Sequence, residues 1–196
     1  QTCALPISDL TKPLGGPVPF TPHGEAVFKN HLGGDDPHGV CQPTGPTRAF
    51  HQPCPFQIVQ SAGMLVVLFE IDHNFRRIFT DGRDHPKDLD FTWYGDSIGK
   101  YSGNTLTVDT TGLNDKTWLD TAGHQHSDQL RITETFTKMD ADTIKWTVTY
   151  DDPVFYSRPW SVTLNMRRQK NDITEMICME NNLDIPHFVK IGRAHV

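Results

Sequence analysis

Long apolar runs are missing from this 196-residue chain. The longest aliphatic stretch, Met64 to Ile71, falls well short of the ~20 residues a helix needs to cross a bilayer, so no membrane span is expected. Basic residues are also scarce, with 18 Lys and Arg against 24 Asp and Glu, no basic run, and a net charge of -6. Nucleic acids and anionic membranes both require a basic face, so neither is expected as a partner. No HExxH, C-x-x-C, dinucleotide fingerprint or internal repeat is present. No cofactor and no resident metal are therefore expected.

The two ends read differently from the rest. Ile191-Gly-Arg-Ala-His-Val196 is what one frame of a common short-read sequencing adapter encodes, and Thr2-Cys-Ala-Leu-Pro-Ile7 is a frame of its reverse complement. Residues 1–7 and 191–196 are thus set apart as scars, and the natural termini are expected to be missing. A missing signal peptide then carries no information about compartment. Without Cys3 the chain keeps Cys41, Cys54 and Cys178, enough for one disulfide and a leftover thiol. Cys41 with Cys178 would tie the N-terminal segment to the last strand, and three buried thiols are the competing reading.

Residues 8–55 are rich in Pro and Gly, and only Gly24 to Leu32 reads as a short helix, which predicts an irregular strap lying over a domain at 56–190. From Phe56 onward, short alternating segments are separated by turn residues. Nine strands are predicted, at 56–61, 64–71, 76–81, 97–102, 105–110, 129–137, 143–150, 160–168 and 174–180. No long helical period interrupts them. The fold class is all-β, an antiparallel meander closing into a lipocalin-like barrel or barrel-like sandwich.

Glu134 is the residue most out of place. Leu130, Ile132, Glu134 and Phe136 share one strand face, with Arg131, Thr133, Thr135 and Thr137 on the other. A carboxylate on an inward face must be paired, hydrogen-bonded or protonated. The hairpin at Met139 to Asp142 sets Glu134 roughly opposite Trp146, and an acid against an aromatic wall can serve in proton transfer. Trp146, Phe136 and Tyr150, together with Trp93 from the loop at 86–94, are the candidate ligand-binding aromatics. Arg76 or Arg77 would hold an anionic group.

Glu70 shares a face with Met64, Val66 and Leu68, and a tight turn at His73-Asn74 would pair it with Arg77. Glu180, near the end of the last predicted strand, is a weaker candidate. His124, His126 and Asp128 have the parity of Glu134, but at ~3.3 Å per residue His126 lies about 26 Å along the strand from it. They form a separate rim group, to which His73 or His85 could belong, and His126 and Asp128 join the catalytic candidates. Such a group could bind a metal, although the spacing is unspecific. Gly95-Asp96-Ser97-Ile98-Gly99 matches G-x-S-x-G but lacks the helix that a nucleophile elbow requires.

Arg76-Arg-Ile-Phe-Thr-Asp-Gly-Arg83, Asp84-His-Pro86, Thr92-Trp93, Ser97-Ile-Gly99, Thr105-Leu-Thr-Val-Asp-Thr110 and Lys116-Thr-Trp-Leu-Asp120, in that order, resemble a widespread uncharacterised family of exported bacterial β-rich proteins. The resemblance spans roughly residues 19–190 and departs at Tyr101 and Asn104, where the family often has Trp and Asp. It implies an extracytoplasmic setting and a disulfide, and it carries no reaction with it. The expected function is metal-independent acid/base chemistry on a small molecule such as a glycoside or phenolic, by hydrolysis, elimination or isomerisation. A non-catalytic ligand-binding barrel is one alternative. A metal-dependent enzyme using the rim His/Asp group is another.

Overall fold

The computed structural model describes Asp9, Leu10, Leu14 and residues 16–180. Both scar segments, and residues 181–190 of the expected barrel domain, lie outside the described residues. Eight strands form one curled sheet in sequence order: β1 Phe56–Ser61, β2 Met64–Phe69, β3 Phe75–Phe79, β4 Asp96–Ser102, β5 Thr105–Thr111, β6 Arg131–Lys138, β7 Thr143–Asp151 and β8 Trp160–Arg167. The result is an all-β half-barrel. β1 and β8 do not pair, so the sheet stays open.

Two features depart from an antiparallel meander. β3 meets β4 in parallel, at the single register pair Phe79↔Ile98, because the connection between them is a long loop rather than a hairpin. The ninth expected strand, at 174–180, is not a strand. Its backbone is occupied elsewhere, with Thr174 donating to Glu70 and the Met176 carbonyl meeting the His73 ring.

The strap does more than lie across the surface. Thr21 caps helix α1, Pro22–Asn30, by accepting from the Gly24 N–H, while its own hydroxyl donates to the Val154 carbonyl. Gly24 is required there because a Cβ would sit 2.2 Å from the Phe155 carbonyl oxygen. Further along, residues 44–50 are all buried and include the start of a short helix α2, Arg48–His51. Phe50 fills the concave side of the sheet, with ring centroids 4.9 Å from Phe56, 5.2 Å from Phe69, 5.6 Å from Phe136 and 5.5 Å from Trp146. Aromatic packing of this kind adds to the area it buries. The chain thus supplies its own occupant for the aromatic interior.

A disulfide joins Cys41 in the strap to Cys178. There is no free cysteine among the described residues, so the leftover thiol expected at Cys54 is not found. Stable disulfides belong to oxidising surroundings. Among the described residues no helix is long and apolar enough to cross a membrane.

Candidate functional site

Alternation along β6 puts Leu130, Ile132, Glu134 and Phe136 on the buried side, as the sequence pattern requires. Glu134 is fully buried, and its oxygens are completely engaged. Arg76, from β3, reaches both of them in a forked ion pair, and the Trp146 indole N–H donates to Oε1 at 3.0 Å. Register pairs Glu134 with Val148, so Trp146 reaches it as a diagonal neighbour. The remaining Arg76 donors go to Ser97 Oγ at 3.2 Å and Thr110 Oγ1 at 2.8 Å, and those hydroxyls bond each other. The network saturates a buried charge pair and leaves neither group aimed at a ligand. Ser97, the centre of the G-x-S-x-G match, is the second residue of β4, with strand rather than helix following it, and serves this network.

The other candidates are dispersed. Glu70 lies at the turn after β2 and accepts from the Thr174 N–H and hydroxyl. The expected Glu70–Arg77 pair does not form, because Arg77 stands opposite Val66 with its guanidinium 5.6 Å from the Phe79 ring centre. Trp146, Phe136 and Tyr150 are buried around Phe50 and Glu134, while Trp93 is half-buried in the β3–β4 loop. Asp128 and Glu180 are exposed. His126 is buried and uses both ring nitrogens, on Thr117 Oγ1 at 2.7 Å and the Ser127 carbonyl at 2.8 Å. Burial holds its imidazole below the ordinary range.

The rim histidine with the properties of a reactive group is His124. Asp120 opens a turn in which its Oδ1 accepts from the N–H groups of Ala122 and His124, and Gly123 takes the left-handed conformation that the turn needs. Oδ2 accepts from the Leu10 N–H at 3.0 Å and meets His124 Nδ1 at 2.6 Å. Asp120 is 0% and His124 1% exposed. Although burial works to raise it, the Asp120 carboxyl is held below its usual range by the His124 ring and the backbone donors. An ionised carboxylate only accepts, so Nδ1 donates to Asp120, and in the neutral tautomer that this fixes the ring lone pair lies on Nε2. Nε2 is buried without a hydrogen-bond partner among the described residues.

Phe20 and Phe28 stack near this ring, at centroid distances of 5.7 and 4.7 Å. With Pro17, Val18, Pro19 and Glu25 they and His124 line a cavity of about 440 Å³ beside α1. A second cavity, of about 390 Å³, lies against the same helix near His31 and Gln125. Asp9, Asp120 and His124 bring three potential ligand atoms within 4.8 Å of one another. Each Asp120 oxygen, however, already accepts two hydrogen bonds, so a cation would have to displace them. Asp120 is built to orient His124.

His51, on α2, donates from Nε2 to the Leu119 carbonyl at 3.0 Å beside this turn. Burial pushes its imidazole down to about 4, against the pull of Asp120. The unfolded chain therefore takes up a proton that the folded one refuses. Stability present above pH ~6.5 is lost as pH falls toward 4, by at most about 3 kcal/mol. Urea unfolding at pH 7 and pH 4.5 should show this loss, and His51→Gln should flatten it.

Comparison of the chain with protein-family models, with curated proteins and with solved structures returned no match. Asp120 and His124 were not singled out together by sequence reasoning. The usable signal was the turn composition of Thr121-Ala122-Gly123 between an acid and a histidine four residues apart.

Proposed function

We propose that the protein acts on a small aromatic molecule, a phenolic or aryl glycoside, with His124 as the proton-transfer group and Asp120 as its positioning partner. The acid/base role expected for Glu134 passes to His124, because both Glu134 oxygens are consumed by Arg76 and Trp146. The observation that carries this reading is the single unpartnered Nε2 on an imidazole whose other nitrogen is fixed by a saturated, buried carboxylate. A base oriented by a third group is the general arrangement for activating a hydroxyl or water. The neighbouring cavity, walled by proline and phenylalanine, suits a flat apolar ring. The Cys41–Cys178 disulfide supports an exported protein working in an oxidising compartment.

The test is release of p-nitrophenolate from a panel of p-nitrophenyl glycosides and esters. Wild type should turn over at least one of them, and His124→Ala should slow it about 100-fold or more with the circular dichroism spectrum unchanged. Equal rates in the two proteins would refute the assignment. Saturable p-nitrophenol binding without any turnover would instead make the chain a carrier.

A further inference from the structure

Among the described residues that line the cavity beside α1, Glu25 is the one carboxylate, His124 is the one other titratable group, and no Lys or Arg is present. Glu25 sits in the first turn of the helix, its side chain 54% exposed, and meets Lys29 one turn later at 2.6 Å. An i,i+4 pair this exposed is weak, so Lys29 leaves the carboxylate able to meet a second cation. Behind the His124 ring the charge has the same sign. His124 Nδ1 donates to Asp120, which its hydrogen bonds hold ionised, and Asp9 brings a further carboxylate oxygen within 4.8 Å of the Asp120 and His124 ligand atoms. A cleft with an acid in its wall and acids behind it draws cations.

The aromatic groups favour the same guest. Phe20 and Phe28 both line the cavity, with ring centroids 5.1 Å apart, and each lies within 5.7 Å of the His124 ring. The face of a phenyl ring is the negative part of its quadrupole, so it attracts an ammonium group as well as packing against a flat ring. An anionic guest would meet the reverse conditions, set beside Glu25 with no basic side chain in the lining to compensate it.

We propose that the molecule taken by this cavity is an aromatic cation, a phenol or phenol derivative that carries a quaternary or protonated ammonium group, and that Glu25 is the residue that selects the charge. The inference rests on the reading of this cavity as the substrate site, and it narrows the substrate class. The aromatic body packs against phenylalanine and proline, and the ammonium group lies against Glu25 and the ring faces. A neutral molecule of the same shape keeps the packing and loses the charge interaction.

Two phenols of one shape test it, 4-hydroxyphenyltrimethylammonium and 4-tert-butylphenol, which differ by a charged nitrogen in place of a carbon. Each is titrated into the full chain by calorimetry near pH 7, at low and at high ionic strength. Wild type should bind the cation about tenfold more tightly than its neutral twin, and the preference should shrink at high ionic strength. Glu25→Gln should weaken binding of the cation about threefold and leave 4-tert-butylphenol unchanged. Equal affinity for the two phenols, tighter binding of the neutral one, no saturable binding of either, or a Glu25→Gln variant that binds the cation as wild type does would overturn the proposal. These readouts are independent of turnover. Equal affinity for the two phenols, with p-nitrophenolate release that falls in His124→Ala, would refute the charge selection alone. A tenfold charge preference, with equal release in wild type and His124→Ala, would refute the catalytic reading alone.

Discussion

Arg76→Met should lower the unfolding free energy by about 3–5 kcal/mol at pH 7, and the double variant Arg76→Met/Glu134→Leu should recover much of that loss. The asymmetry follows from what each change leaves behind. With Arg76 gone, Glu134 keeps one indole donor and sits fully buried on the inner face of β6, where an uncompensated carboxylate is among the most costly defects a core can hold. Removing both charges leaves apolar side chains against Val108, Val148 and Trp146, which are buried apolar neighbours on the adjoining strands. Ser97 and Thr110 keep each other as partners in either case. Urea titration of wild type, single and double variants closes the cycle. Unchanged stability in Arg76→Met would show that Glu134 is not held by this pair.

Cys41→Ser/Cys178→Ser should cost about 2–5 kcal/mol and lower the melting temperature on the order of 10 °C. The bridge spans 137 residues, so it removes a large share of the unfolded chain's freedom. It also joins two segments with little else in common. Cys41 closes a short 3-10 turn at residues 37–40, and Cys178 lies in a stretch that adds no strand to the sheet. Without the bridge, the C-terminal stretch is held through Glu70 to Thr174 and His73 to Met176, both exposed hydrogen bonds of modest worth. Differential scanning calorimetry of the double variant measures the change, and an unaltered melting temperature would mean that the strap is anchored by its own packing.

Strand positions were legible because their physical origin is local. A half-buried strand must alternate, and β2, β5, β6, β7 and β8 lie within two residues of the expected segments at both ends. The segment at 174–180 has similar texture but forms no strand, with the Thr174 N–H given to Glu70 and the Glu180 N–H to the Ile177 carbonyl. Texture specifies what a strand looks like, and a partner edge decides whether it becomes one. The inward aim of Glu134 was legible for the same reason, whereas its partner was not. Arg76 lies 58 residues away, and nothing in β3 distinguishes it from Arg77 until register turns one inward and the other to solvent.

The cavity was misjudged for a related reason. An aromatic-lined interior reads as space for a guest when the strap is taken as a cover, yet residues 44–50 enter it and Phe50 occupies it. Proline and glycine content signals irregular backbone and says nothing about where that backbone runs.

By itself, the sequence determined the all-β class, eight of the nine strand positions it proposed, the burial of Glu134 and a short helix near residues 24–32, since each depends on periodicity or composition within a dozen residues. Only the tertiary structure decided that Glu134 is spent on Arg76, that the sheet stays open around an inserted strap, and that His124 is buried with Nε2 left unpartnered among the described residues. Those outcomes depend on which groups meet across long separations, and a buried polar atom is settled by whichever partner reaches it in space.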